Sequence, residues 1–130
     1  MRILIVEDNI ELGQLYREWL SEEGHDVCII TDGIEALQLM ISISGLNGGS
    51  LNFDAFVIDY HLPTANGMRV IEMVKAINWK NKAHPFLLIS GDIMAFKGLE
   101  ASISKLEKPF VKEDFMKALG ITSLAPVLVA

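Results

Sequence analysis

The chain has 130 residues, of which 51% are hydrophobic and 22% charged, and its mean hydropathy is +0.35. This length suits one domain with a single core, and this composition excludes a chain that is disordered throughout. The 17 acidic and 11 basic residues give a formal net charge of -6. Direct nucleic-acid binding is therefore not expected, because phosphate recognition needs a basic surface.

Sequence features that direct a chain to the membrane or out of the cell are not found. Cys28 is the single cysteine, so an internal disulfide cannot form. No charged segment precedes a long apolar stretch at the start, as it would in a secretory signal. No apolar run approaches the roughly 20 residues that a membrane helix needs. We therefore expect a reduced, cytoplasmic protein without membrane contact.

Short apolar runs alternate along the chain with segments whose apolar residues recur at helical spacing. The runs predict buried strands at residues 2–6, 25–31, 54–59, 85–89 and 103–107. The other segments predict helices at residues 10–23, 32–45, 70–78, 93–99 and 112–119, and the periodicity of 93–99 is weak. The second strand is less uniformly apolar than the first, as expected of an edge strand.

This alternation of strands and helices predicts an α/β fold. Right-handed crossovers would place the strands in one parallel sheet with helices on both faces. The sequence contains no repeat and no second composition class. We therefore expect one domain over residues 1–122, followed by a C-terminal tail or linker stub at residues 123–130.

Polar residues stand where the predicted strands end: Glu7, Asp8, Asp59, Ser90 and Lys108. The carboxyl ends of parallel strands share one edge of a sheet, where α/β proteins bind their ligands. Helix capping does not explain Glu7 and Asp8 together, because Asn9 can cap the first helix. Asp59 taken alone could be a turn residue, so its interpretation depends on the groups beside it.

Three carboxylates gathered at one edge repel one another and need a cation nearby. An oxygen-rich set with few protein ligands suits Mg²⁺. Lys108 can add positive charge, Ser90 can donate a hydroxyl hydrogen bond, and Gly91 lets an anion approach the backbone. An aspartate nucleophile such as Asp59, beside a metal, a lysine and a hydroxyl, can accept a phosphoryl group as an aspartyl phosphate.

The set Glu7-Asp8, Asp59, Ser90-Gly91 and Lys108-Pro109-Phe110, in this order and at strand ends, resembles the receiver domain of bacterial two-component response regulators. The resemblance covers about residues 1–120. It implies a flavodoxin-like fold with strand order 2-1-3-4-5 and a phosphorylation-dependent signalling switch rather than an enzyme with a separate substrate. The implied partners are a histidine kinase or phosphotransfer protein and an output domain or partner protein, and a homodimer is compatible with it.

The resemblance also implies a phosphoacceptor and a metal site. Asp59 would take the phosphoryl group from a phosphohistidine. Mg²⁺ would be held by Glu7, Asp8, Asp59 and the backbone carbonyl of His61. The side chain of His61, two residues after the phosphoacceptor, would help to tune the lifetime of the phosphorylated state.

Residues near the ends of the fourth and fifth strands receive roles by the same resemblance. Lys108 would pair with the phosphoryl group, and Ser90 would move to hydrogen-bond it. Asp92, two residues after Ser90, occupies the second position that tunes phosphate lifetime. The Lys108-Pro109 bond would be cis.

Two features depart from the family pattern, on the face formed by helix four, strand five and helix five. Receivers commonly carry Tyr or Phe three residues before the lysine of the Lys-Pro pair, whereas this chain has Lys105. The segment from Ser90 to Lys108 is short, so helix four is expected to be truncated or irregular. We therefore expect the switch region, which includes Lys105 and Pro109, to differ from the usual aromatic switch.

Three alternatives compete with the signalling switch. A haloacid dehalogenase-like phosphatase also uses an aspartate after a strand, but it expects a second aspartate where this chain has His61. A flavodoxin would need a Ser/Thr/Gly phosphate loop after the first strand, and Glu7 and Asp8 would repel a flavin phosphate. A pseudo-receiver, which does not accept phosphate, is disfavoured because every acceptor-site residue is present.

Overall fold

Five parallel strands form one sheet in the order β2-β1-β3-β4-β5, in a computed structural model that describes residues 1–46, 53–77, 86–99 and 103–120. The strands are β1 (Arg2–Val6), β2 (Asp26–Ile30), β3 (Ala55–Asp59), β4 (Phe86–Ser90) and β5 (Ile103–Glu107). The helices are α1 (Ile10–Glu22), α2 (Gly33–Leu46), α3 (Gly67–Ile77) and α4 (Lys112–Ala118), with a 3-10 helix at Ile93–Phe96. The predicted α/β fold and strand order are confirmed.

Local sequence signals explain where α1 begins and ends. The side chain of Asn9 accepts a hydrogen bond of 3.1 Å from the backbone N–H of Leu12, which satisfies one of the unpaired donors of the first turn. Gly24 follows the helix with φ of 82°, a left-handed conformation that glycine adopts without strain. The capping role predicted for Asn9 is confirmed.

The expectation that helix four is truncated or irregular is confirmed. Within residues 93–99 only a four-residue 3-10 helix forms, Ile93–Phe96, so the described residues contain four α-helices where five helical segments are predicted. Its side chains do not form a buried face, since Ile93 and Met94 are exposed. Helix α2 runs to Leu46 and does not stop at Gly45.

The central strands bury both of their faces, which is why they are continuous apolar runs. Side chains of β1, β3 and β4 alternate between two core clusters. One cluster lies on the side of α2 and α3, and includes Leu4, Val6, Met40, Phe56, Ile58, Ile71 and Leu88. The other lies on the side of α1 and α4, and includes Ile3, Ile5, Tyr16, Leu20, Val57, Leu87 and Phe115.

None of the described helices combines the length and the hydropathy that crossing a bilayer requires. The loop at residues 47–52, the domain boundary expected at residue 122 and the tail expected at 123–130 lie outside the described residues. The position of that boundary stays a prediction.

Candidate phosphoacceptor and metal site

Parallel pairing brings the ends of β1 and β3 side by side. Val6 is the register partner of Ile58, so the residues that follow each of them, Glu7 and Asp59, come out at the same edge of the sheet. Oxygen atoms of Glu7, Asp8 and Asp59 lie within 4.8 Å of one another. Glu7 is only 2% exposed and Asp59 5%, whereas Asp8 faces solvent.

Lys108 enters this carboxylate cluster from the loop after β5. Its Nζ lies 3.3 Å from Oε1 of Glu7 and 3.5 Å from Oδ1 of Asp59. Its backbone N–H donates a 3.0 Å hydrogen bond to the carbonyl of Ser90. The lysine is therefore fixed across the end of β4, with its ammonium group between two buried carboxylates.

The cluster of Glu7, Asp8 and Asp59 holds more negative charge than Lys108 alone can balance. Burial raises the pKa of Glu7 from its usual 4.5 to about 7, repulsion by Asp59 adds to this, and Lys108 acts in the opposite direction. Burial also raises the pKa of Asp59, again against the effect of Lys108. A further cation would relieve both carboxylates. Three carboxylates with an exposed member suit a hard, oxygen-seeking ion such as Mg²⁺ that retains several waters.

Ser90 ends β4 next to the cluster. Its side chain is fully buried, and its Oγ accepts a 3.0 Å hydrogen bond from the backbone N–H of Asp92. The Asp92 carboxylate in turn accepts a 3.0 Å bond from the backbone N–H of Met94 and caps the 3-10 helix. A Cβ on Gly91 would meet no protein atom within 4 Å, so space for an anion exists beside this backbone.

The loop from β3 to α3 carries His61 and closes tightly against the end of β3. Its first residue, Tyr60, donates from its backbone N–H to the carbonyl of Ile89 at 2.9 Å, and Gly67 donates back to the carbonyl of Tyr60 at 2.8 Å. A Cβ on Gly67 would overlap the carbonyl oxygen of Asp59. The His61 side chain is exposed, and its ring lies edge-on to Tyr60 at 4.9 Å.

This role of Gly67 was missed in the sequence, where Thr64–Gly67 indicates only a turn or a helix start. The signal that could have found it is the adjacent pair Asn66 and Gly67, because Asn66 caps α3 through a 3.1 Å bond from the N–H of Arg69. Gly67 is then the first residue of α3, and its N–H bond to the carbonyl of Tyr60 holds it against the end of β3. Only a residue without a side chain fits there.

The two residues expected in the switch region, Lys105 and Pro109, lie on the edge strand β5 and just after it. Lys105 is exposed at the centre of that strand, and it pairs in register with Leu88. The Lys108-Pro109 peptide bond is cis, as the resemblance implies. Tyr16 and Phe115, on the opposite face of the sheet, stack with ring centroids 5.0 Å apart inside the core.

A family model described as "Response regulator receiver domain" matches residues 3–120. The chain belongs to this family. Receiver domains act as phosphorylation switches in two-component signalling, so the resemblance drawn from the sequence motifs is confirmed. The phosphatase and flavodoxin alternatives are removed by this membership. The individual roles of the site residues stay predictions.

Curated relatives of this receiver domain are regulators and a kinase. The chain is 32% identical over 114 residues to the transcriptional regulatory protein CusR of Escherichia coli K12, which is 85% of this chain and 45% of that protein. It is 30% identical over 124 residues to the peroxide stress-activated histidine kinase mak3 of Schizosaccharomyces pombe, which is 91% of this chain and 5% of mak3. The receiver domain therefore spans less than half the length of these relatives.

Solved structures have the same fold as this receiver domain. The chemotaxis protein CheY4 of Vibrio cholerae aligns with a TM-score of 0.72 at 24% identity, over 92% of this chain and 95% of that one. The response regulator TrrA of Thermotoga maritima, solved in complex with Mg²⁺-BeF, aligns with a TM-score of 0.68 at 26% identity, over 91% of this chain and 98% of that one.

Proposed function

We propose that this receiver domain accepts a phosphoryl group on Asp59 from the phosphohistidine of a histidine kinase or phosphotransfer protein, with Mg²⁺ bound beside it. The observation that carries the proposal is the convergence of Glu7, Asp8 and Asp59 oxygens within 4.8 Å of one another, with the Lys108 ammonium 3.5 Å from Asp59. Glu7, Asp8, Asp59 and the carbonyl of His61 would hold the metal.

The transfer requires little beyond correct placement of charge. A carboxylate oxygen of Asp59 attacks phosphorus, the bond from phosphorus to the donor imidazole nitrogen breaks, and the imidazole keeps that electron pair and takes up a proton as it leaves. Bound Mg²⁺ supplies positive charge for the phosphoryl oxygens. Lys108, already between two carboxylates, pairs with the same oxygens. Ser90 can donate its hydroxyl proton to the phosphoryl group once it turns toward it.

Phosphorylation changes the conformation of the domain. This change is detected by a linked output domain, a separate partner or a second copy of the chain. The length of CusR supports a linked output, because the matched segment is 45% of that regulator. The chain acts in the cytoplasm, contacts nucleic acid only through such an output, and catalyses its own phosphorylation and dephosphorylation without a separate substrate. Position 105 holds a lysine, so the phosphorylated state is not read out through an aromatic side chain at that position.

The pseudo-receiver alternative is tested with acetyl phosphate, which replaces the kinase as phosphoryl donor. The protein is incubated with acetyl phosphate and Mg²⁺, and its intact mass is measured. We expect the wild type to gain the mass of one phosphoryl group and Asp59→Asn to gain none. The matched control is Asp54→Asn at the other end of β3, where Asp54 accepts a 2.8 Å hydrogen bond from the backbone N–H of Arg2.

Asp54→Asn should add the same single phosphoryl group as the wild type. An unmodified wild type that nevertheless binds Mg²⁺ would identify a pseudo-receiver. An adduct that persists in Asp59→Asn would place the phosphoacceptor elsewhere.

A further inference from the structure

The loop after β3 is fastened to the start of α2 by one side-chain pair. The hydroxyl of Thr64 donates a hydrogen bond to Oδ1 of Asp32, and its oxygen accepts a 3.0 Å bond from the backbone N–H of Ile34. The second oxygen of Asp32 accepts a 3.0 Å bond from the backbone N–H of Glu35 and so caps α2. Thr64 therefore joins the loop to the capped start of α2, and its partner Asp32 is 32 residues away in sequence.

The two backbones also touch at this point. A Cβ on Gly33 would lie 2.5 Å from the carbonyl oxygen of Ala65, a distance that real side chains do not show. Gly33 thus lets the first turn of α2 rest directly on the loop. The Thr64–Asp32 pair is the polar part of a contact whose remainder is close packing.

His61 lies between this contact and the base of the loop. Two backbone hydrogen bonds hold the base of the loop. The N–H of Tyr60 donates to the carbonyl of Ile89 at 2.9 Å, and the N–H of Gly67 donates to the carbonyl of Tyr60 at 2.8 Å. The residues from His61 to Ala65 are exposed or half-exposed, and the partly buried Leu62 packs against the core cluster on the side of α2 and α3. The outer part of this segment is fastened to the rest of the domain by Thr64.

We propose that Thr64 and Asp32 are positioning residues for the metal site: they hold the β3–α3 loop so that the backbone carbonyl of His61 is already in place when Mg²⁺ binds. This inference rests on the proposed function, in which that carbonyl is a ligand. Mg²⁺ demands near-octahedral geometry, and a ligand on a loop that must first be ordered lowers affinity by the ordering cost.

The charge on Asp32 strengthens the fastening. The hydrogen bond from Thr64, followed by that from Glu35, holds the pKa of Asp32 below its usual value. The carboxylate is therefore ionised at neutral pH, and a hydrogen bond to an ionised acceptor is stronger than one between neutral groups. Asp32 itself stays outside the carboxylate cluster of Glu7, Asp8 and Asp59.

Mg²⁺ binding to the unphosphorylated protein, measured by isothermal titration calorimetry, tests the inference without any phosphoryl transfer. Thr64→Val keeps the shape but removes the hydroxyl, which donates to Asp32 and accepts from Ile34. It should weaken Mg²⁺ binding by about threefold to tenfold, a change of the size of one net hydrogen-bond contribution. Thr64→Ser keeps the hydroxyl and should restore most of the affinity. The matched control is Thr31→Val, because Thr31 is exposed and its hydroxyl bonds to none of the residues that the structure describes.

A double-mutant cycle separates positioning from simple destabilisation. Asp32→Ala should also weaken Mg²⁺ binding, and adding it to Thr64→Val should weaken that binding little further, because both variants remove the Thr64–Asp32 hydrogen bond. The cap of α2 that Asp32→Ala also removes should lower stability instead. Melting curves establish that each variant is folded at the temperature of the titration. If Thr64→Val is less stable but binds Mg²⁺ as the wild type does, the pair is merely structural and the inference fails. If the wild type itself does not bind Mg²⁺, the proposed function fails first.

Discussion

The ammonium of Lys108 lies 3.3 Å from a carboxylate oxygen of Glu7, yet the pKa of Glu7 still rises to about 7 because burial and the nearby Asp59 outweigh the lysine. The folded protein thus protonates Glu7 more readily than the unfolded chain does. The contribution of Glu7 to the free energy of unfolding is fully present below its ordinary pKa of 4.5, and it is lost as the pH rises through about 7.

We expect the metal-free wild type to lose stability relative to Glu7→Gln between about pH 5 and about pH 8. Urea unfolding at several pH values, with a chelator present, measures the difference between the two proteins. Taking the difference removes the groups that titrate in both. Parallel curves over that range would show that Glu7 keeps an ordinary pKa in the folded protein.

Asp59→Asn should stabilise the metal-free protein at neutral pH by about 1 kcal/mol, because it removes a buried charge that the site accommodates poorly. The raised pKa of Asp59, caused first by burial, is the reason for this sign. Urea denaturation measures the change. Asp54→Asn is the control, and it should not stabilise, since the exposed Asp54 carboxylate accepts a hydrogen bond from Arg2. An unstable Asp59→Asn would mean that its contact with Lys108 outweighs burial.

Tyr16→Phe should stabilise the protein by about 0.5 to 1 kcal/mol. The Tyr16 hydroxyl is buried without a hydrogen-bond partner among the described residues. Its desolvation therefore lowers the stability of the folded protein, and no hydrogen bond offsets that cost. Burial, with the charges of Glu7 and Asp59, also raises the pKa of Tyr16, which keeps the phenol neutral. Tyr60→Phe, at a half-exposed tyrosine, should change the midpoint of thermal unfolding little. Equal effects of the two substitutions would contradict a cost from burial.

Gly67→Ala should destabilise the fold by about 1 to 3 kcal/mol, since its Cβ would overlap the carbonyl oxygen of Asp59 and must displace backbone. Gly91→Ala, at the end of the neighbouring strand, should leave stability nearly unchanged because a Cβ there meets open space. Thermal unfolding of both variants tests the contrast. If Gly67→Ala were as stable as the wild type, the backbone at Gly67 could move away from the carbonyl of Asp59 without cost.

The sheet and the composition of the site could be predicted from the sequence because both follow from short-range patterns. Buried strands are continuous apolar runs, and parallel topology then gathers the residues at their ends, as Glu7 and Asp59 show. Helix α2 was predicted to stop at Gly45 but continues to Leu46. A glycine within a helix costs only about 1 kcal/mol, which packing of the rest can offset.

Contacts between distant segments could not be predicted in this way. The pair formed by Thr64 and Asp32 joins residues 32 apart in sequence, and neither residue interrupts its local pattern. Gly33 and Gly67 matter through the absence of a side chain, which leaves no periodic signal. The stretch after β4 was ambiguous for a different reason: Ile93 and Met94 are apolar but exposed, so they mark no buried helix face.

The division of the core into two clusters has a consequence for how sequences of this domain can diverge. Neighbouring positions of β1, β3 and β4 belong to different clusters, and the sheet backbone separates them. Substitutions of core residues in α2 and α3 should combine nearly additively with substitutions of core residues in α1 and α4, because the sheet lies between them and distant sites without shared partners couple weakly. Each half of the interior can therefore be randomised and selected as a separate library, with the strand ends left unchanged in both.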